Sequence, residues 1–229
     1  MKPYKIIEVI RETASVVTLR LVDDKGERPN FIAGQYVTVL FPDLDVPSGK
    51  AYSLSSTPSD PYMAITVKKA GIYSSRLHEL KVGDKLLVSE SYGFLNPNFD
   101  GPIIAIAGGI GIASLFSIIR DTLNRDPARP ISLWYSNRTT KDIVFANEIT
   151  DLTARYEQLQ VKHFITRQDK VPSGFRKGRI NIGKALAEET PSPDSFYFIC
   201  GHEGFVGDIW RALVEAGISE DKIATEAFY

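Results

Sequence analysis

Ile103-Ile104-Ala105-Ile106-Ala107-Gly108-Gly109-Ile110-Gly111-Ile112-Ala113-Ser114 decides how this chain folds. Five apolar residues in a row, with no polar alternation, read as a strand buried on both faces. Three glycines follow within four positions. Leu115, Phe116, Ile118, Ile119 and Leu123 then fall at helical spacing. Strand, glycine turn and helix, in that order, open a parallel, doubly wound sheet.

Downstream the alternation continues. Residues 131–136 read as a second strand, followed by a helix near 145–156. A third strand is expected over 161–166 and a weaker helical piece near 182–188. A fourth strand, 196–200, leads into a helix with Phe205, Val206, Ile209, Trp210, Leu213 and Val214 on one face. Upstream the rhythm is different. Short alternating or β-branched runs lie at 5–10, 16–21, 35–41, 63–68 and 85–89, separated by Asp24-Lys25-Gly26, Pro47-Ser48-Gly49, Ser59-Asp60-Pro61 and Gly83-Asp84. They predict an antiparallel β-barrel, interrupted by one helix over 75–80 with Ser74 as its N-cap. Asn96-Pro97-Asn98-Phe99-Asp100-Gly101-Pro102 reads as a linker. The expectation is a β-barrel domain over 1–98 and a Rossmann-like α/β domain over 102–229.

Composition narrows the function. The chain has 229 residues, 43% hydrophobic and 24% charged, enough for two modest cores. A net charge of −1 supplies no bulk field for nucleic acid or an anionic membrane. No run reaches the length of a membrane span. Met1-Lys2-Pro3-Tyr4 enters a strand-like pattern without a signal-peptide apolar core, so the default expectation is a cytoplasmic protein. Cys200 is the only cysteine, which excludes an intrachain disulfide and any four-cysteine iron–sulfur or zinc site in this chain. His78, His163 and His202 are scattered, and no metal is expected. Hydrolase elbows and P-loops are absent.

The glycine turn has two readings. Glycines with a helix N-terminus admit a phosphate close to the backbone; they also make a tight turn packed on the sheet. The third glycine of the dinucleotide fingerprint falls at Ser114. The second strand ends Ser136-Asn137-Arg138, with Lys141 close behind. An acid would suit the ribose hydroxyls of NAD; amide and positive charge here favour a 2′-phosphate, or else form an ordinary solvated loop.

Further stretches recur in a telling order: Phe31-Ile32-Ala33-Gly34-Gln35-Tyr36; Lys50-Ala51-Tyr52-Ser53-Leu54-Ser55-Ser56; Lys68 with Gly71-Ile72-Tyr73-Ser74-Ser75-Arg76-Leu77; and Gly93-Phe94. Thr166-Arg167, Gly178-Arg179-Ile180, Cys200-Gly201 and the terminal Glu226-Ala227-Phe228-Tyr229 complete the series. Together with the glycine turn, and over nearly the whole chain, they resemble the ferredoxin–NADP reductase family of flavoproteins.

That resemblance implies FAD on the first domain and NADP or NAD on the second. For FAD it implies Lys50, Ala51, Tyr52, Ser53, Lys68, Gly71, Tyr73 and Ser74. Tyr52 would stack on the isoalloxazine, Ser53 would bond near N5, and Phe228 and Tyr229 would cover the opposite face and the adenine. Lys50 stands where the family has Arg and offers a point charge without Arg's fork. For the nicotinamide dinucleotide it implies Gly109, Gly111, Asn137, Arg138, Arg167, Arg179, Cys200 and Gly201. Ser114 and His202 stand where the family has proline. Ser53, Cys200 and Glu226 would line the hydride-transfer site. The implied activity is hydride transfer from NAD(P)H to FAD, then electron transfer to a separate carrier such as ferredoxin, flavodoxin or an oxygenase component. Two alternatives stay open: reduction of free flavin, quinone or metal complexes, and a non-catalytic dinucleotide-binding subunit of a larger assembly.

Overall fold

The structure, a computed structural model, describes residues 1–93 and 100–228. Phe94, the expected linker residues 96–99 and Tyr229 lie outside them. The chain divides into two compact units, Met1–Phe94 with Phe116–Asp121, and Leu95–Leu115 with Thr122–Tyr229.

The first unit carries six strands: β1 (Lys2–Thr13), β2 (Val16–Val22), β3 (Tyr36–Leu40), β4 (Lys50–Ser53), β5 (Met63–Lys68) and β6 (Lys85–Val88). They form one sheet in the order β4-β3-β6-β1-β2-β5. Every pairing is antiparallel. The two end strands meet where Leu54 bridges to Ile65 and the Ser55 N–H donates to the Ala64 carbonyl at 2.9 Å. Closure of this kind removes the open edges of the sheet and gives the expected barrel. Alternate residues such as Val37 and Val39 point inward and join Ile6, Leu19, Leu21, Leu54, Ile65 and Val88 in the core.

One expectation here is corrected. The helix α1 spans Ile72–Glu79, with Gly71 rather than Ser74 at its N-cap. Ser74 sits inside the first turn, and its Oγ turns back to accept from the N–H groups of Ala70 (2.8 Å) and Gly71 (3.0 Å). A short hydroxyl satisfies upstream amides from inside the helix as well as downstream ones from the cap.

The second unit alternates β7 (Ile103–Gly108), α2 (Ile112–Arg125), β8 (Ile131–Asn137), α3 (Ala146–Arg155), β9 (Leu159–Ile165), β10 (Arg176–Lys177), α4 (Ile182–Glu189), β11 (Phe196–His202), α5 (Glu203–Glu215) and β12 (Ile223–Phe228). The sheet order is β10-β9-β8-β7-β11-β12, parallel throughout. The strands β7, β8 and β11 are buried nearly end to end, which is why they read as unbroken apolar runs. The chain steps outward from β7 to β8 and β9, then returns to place β11 on the other side of β7. The direction of winding therefore switches between β7 and β11, and ligands of open parallel sheets bind at the carboxyl ends of the strands at such a point. The edge strand β12, pairing with β11 at the end of the chain, was not among the expected elements. No helix among the described residues is long and apolar enough to cross a membrane.

Candidate functional site

At the switch point, glycine decides how closely two strand ends approach. A β-carbon on Gly111, at the start of α2, would overlap the Cys200 carbonyl and lie 2.7 Å from the Gly201 nitrogen. One on Gly108 or Gly201 would come within 2.8 Å of the Phe205 ring. These three glycines serve close packing. Gly109 is different: its φ is +54°, and its β-carbon position faces open space. Of the two readings of the turn, packing accounts for Gly108 and Gly111, and an open approach to the backbone remains at Gly109.

Cys200 lies near the end of the buried part of β11 and is fully enclosed. Its Sγ lies 3.1 Å from Ser114 Oγ and donates to Glu226 Oε2 at 3.6 Å. The β11–β12 register places Glu226 directly beside it. Burial first, and the neighbouring Glu226 second, push the thiol well above its usual range, so it is neutral. Gly201 and His202 follow. The His202 Nδ1 accepts from the Gly204 N–H at 3.2 Å and caps α5. Phe228 is half-buried and stands opposite His202 in the register.

Three further candidates meet at the same carboxyl edge. The Asn137 carbonyl accepts from Thr166 N–H (2.9 Å), the Arg138 carbonyl from Arg167 N–H (2.8 Å), and the Ile165 carbonyl from Gly178 N–H (2.8 Å). This backbone ladder sets Arg138, Arg167 and Arg179 on neighbouring segments at the ends of β8, β9 and β10, all three exposed. Beside them the Asn137 side chain is 4% exposed, yet neither its nitrogen nor its oxygen has a hydrogen-bond partner. Buried polar groups are nearly always bonded, whereas the Asn137 amide keeps a free donor and a free acceptor at this edge.

The candidates on the barrel unit group separately. Lys50, Ala51, Tyr52 and Ser53 form β4; the first two are exposed, Tyr52 is half-buried against the core, and Ser53 is buried. Burial pushes the Tyr52 phenol up to about 12, so the ring is neutral. Lys68 ends β5 exposed, and Gly71 begins the turn into α1 with nothing near its β-carbon position. Tyr73 is buried, and its hydroxyl donates to the Val39 carbonyl (3.0 Å) and accepts from the Phe41 N–H (2.8 Å). The Ser74 hydroxyl also donates to the Gly71 carbonyl at 3.1 Å. Both hydroxyls are thus spent on backbone groups that shape the end of β3 and the turn before α1.

Sequence reasoning missed the part of Ser114, which it read as a departure from the fingerprint glycine and from the family proline. It also missed the register that seats Glu226 beside Cys200. The alternation within residues 223–228 was the available signal for that strand.

Residues 105–210 match the oxidoreductase NAD-binding domain. Flavohemoprotein A of Dictyostelium discoideum is 30% identical over 240 residues, covering 96% of this chain and 58% of that protein. The chain spans 58–60% of the length of the first curated relatives it matches. The flavohem-like FAD/NAD binding domain of nitric oxide dioxygenase from Vibrio cholerae O1 biovar El Tor superposes with a TM-score of 0.88 at 23% identity, over 99% of this chain and 98% of that one. The ferredoxin NADP+ reductase of Neisseria gonorrhoeae, with bound FAD and NADP, gives 0.82 at 21% identity, over 100% and 98%. At these identities the superpositions show a shared fold. Barrel unit, parallel-sheet unit and domain match agree: the chain has the two-unit fold of ferredoxin–NADP reductase-like structures, and it carries an oxidoreductase NAD-binding domain over residues 105–210.

Proposed function

We propose that the chain is a reductase that takes a hydride from NADPH and delivers electrons, by way of FAD, to an acceptor on another protein or domain. The observation that carries the coenzyme half is the buried, unpartnered Asn137 amide beside Arg138, Arg167 and Arg179. An amide with free donor and acceptor atoms suits a ribose or carboxamide, and clustered guanidinium groups suit a 2′-phosphate. When bound, the nicotinamide supplies a hydride, and the flavin accepts it and passes electrons on singly or in pairs.

The residues hold and orient. Residues 102–229 form the coenzyme domain in this reading, with Gly109 admitting the diphosphate, Gly111 opening the helix, and Cys200 and Gly201 flooring the nicotinamide end. Residues 1–98 form the FAD domain. Tyr52 offers a neutral aromatic face, Lys50 and Lys68 offer charge for the diphosphate, and Gly71, Tyr73 and Ser74 shape the turn that receives it. Ala51 and Ser53 complete that strand, and Phe228 and Tyr229 are assigned to FAD on the resemblance alone. Ser53, Cys200 and Glu226 serve hydride transfer by positioning; none has to move a proton for it.

The acceptor is proposed to be a haem protein, because the curated relatives that match over nearly all of this chain are flavohemoproteins and extend well beyond it. A ferredoxin, a flavodoxin or an oxygenase component would draw electrons from the same reduced flavin. The test is anaerobic mixing of the FAD-loaded protein with NADPH and with NADH while the flavin absorbance is followed. Bleaching by NADPH ahead of NADH is expected. A flavin band that neither coenzyme bleaches sinks the reductase reading, and faster bleaching by NADH sinks the choice of coenzyme. Salt-sensitive turnover with a haem protein, exceeding that with free flavin, identifies the acceptor class.

A further inference from the structure

The hydroxyl of Ser114 has no part in the reading above. It lies in the first turn of α2, three residues after Gly111 and on the same helix face. Because Gly111 lacks a β-carbon, that turn rests directly on the backbone of Cys200 and Gly201. The next inward side chain therefore arrives at the thiol, 3.1 Å from Ser114 Oγ to Cys200 Sγ. On the other side, β12 brings the Glu226 carboxyl within 3.6 Å of the same sulfur. A thiol has one proton. With that proton given to Glu226, the sulfur can only accept from Ser114, so the hydroxyl donates. Ser114 and Cys200 are both completely buried, and water does not compete for the bond between them; Glu226 is half-buried.

We propose that Ser114 is a positioning residue: its O–H donates to Cys200 Sγ, turns the thiol proton toward Glu226, and so fixes the Glu226 carboxyl at the carboxyl edge of β11 and β12. The proposal rests on the reductase reading, in which Cys200 and Glu226 serve hydride transfer. Polarisation along a hydrogen-bonded file strengthens each member, so loss of the first donor loosens the last acceptor. The thiol stays neutral, in keeping with its burial.

The test uses the fact that Cys200 is the only cysteine. Its S–H stretching band stands alone in a clear region of the infrared spectrum and needs neither cofactor nor turnover to be read. In Ser114→Ala the band should move to higher frequency, and Ser114→Thr, which keeps the hydroxyl, should return it toward the wild-type position. Glu226→Gln should move it further in the same direction as Ser114→Ala, and reads the file from its other end where the threonine methyl does not fit. Flavin reduction at saturating coenzyme should slow roughly fivefold in Ser114→Ala with little change in KM, the size expected for one neutral hydrogen bond. A band that Ser114→Ala leaves in place overturns the proposal. So does a shifted band with an unchanged rate of flavin reduction. A wild-type protein that binds both dinucleotides without passing a hydride overturns the reductase reading and Ser114's role in it, while the band still decides the bond to Cys200.

Discussion

The barrel unit and the parallel-sheet unit build their candidate sites from different materials. In the parallel sheet the backbone does most of the work. Strand order creates the switch point, glycines bring the two strand ends together, and a ladder of main-chain bonds lines up three arginines. In the barrel the candidates are side chains on one short strand and one turn, with Tyr73 and Ser74 holding that turn in shape. A site made by backbone approach is sensitive where a β-carbon would intrude. A site made by side chains is sensitive to the loss of particular functional groups.

The sharpest way to break that contrast is Gly111→Ala. The new methyl meets a carbonyl of the neighbouring strand, and no rotamer change relieves backbone overlap. A loss of about 3 kcal/mol or more is expected, read as a fall in thermal midpoint of roughly 6–12 °C. Tolerance of the alanine would mean that the two strand ends are not packed as tightly as described.

Arg138→Ala and Arg167→Ala come next. Each removes an exposed charge and should leave stability unchanged. Each should weaken NADPH binding by about ten- to a hundredfold, the worth of one charged hydrogen bond, and NADH binding much less. Michaelis constants for the two coenzymes decide it; equal losses for both would remove the 2′-phosphate from the account.

Tyr73→Phe tests the barrel side. It strands the buried Val39 carbonyl and Phe41 amide, at a cost of about 1–3 kcal/mol in urea unfolding. Flavin affinity should hold, since the lost hydroxyl is already engaged. Weakened FAD binding at undiminished stability would make that hydroxyl a ligand group instead.

A smaller effect should appear at high pH. The Tyr52 phenol is raised in the folded chain from 10.0 to about 12, chiefly by burial. A group raised on folding stabilises fully below its unfolded value, and that contribution is lost as pH rises through the folded one. Wild-type stability should therefore decline between pH 10 and about 12 more than that of Tyr52→Phe, as urea midpoints across the window would show. Parallel declines would mean that Tyr52 is not buried enough to matter.

Gly71→Ala should do least. Its φ is −172°, extended backbone open to any residue, and nothing lies within 4 Å of the new methyl. A change within about 0.5 kcal/mol is expected, the ordinary range for an exposed position. A loss comparable to that of Gly111→Ala would erase the distinction between the units.

Much of the fold was legible because burial leaves a period in the sequence. Five consecutive apolar residues at Ile103 mark a strand covered on both faces, and alternation at Tyr36–Leu40 marks a barrel wall. The last strand escaped notice because an edge strand is half exposed, and its partner lies more than twenty residues upstream. The start of α1 was misplaced because serine is a frequent N-cap, and only its hydrogen bonds show which way its hydroxyl turns. Asn137 was singled out as an amide at the end of the second strand; that it is buried and unpartnered depends on everything packed around it.

By itself the sequence determined the alternation of the main strands and helices, the division into barrel and parallel sheet, the site of the glycine turn and the lack of cysteine ligands. These follow from local conformational preference and from periodic burial, which neighbouring residues encode together. Only the tertiary structure decided which glycine stays open, how Leu54 closes the barrel on Ile65, and that Ser114, Cys200 and Glu226 form one hydrogen-bonded file. The members of that file lie 86 and 26 positions apart. Residues so distant meet only through strand order and register, and no local pattern records them.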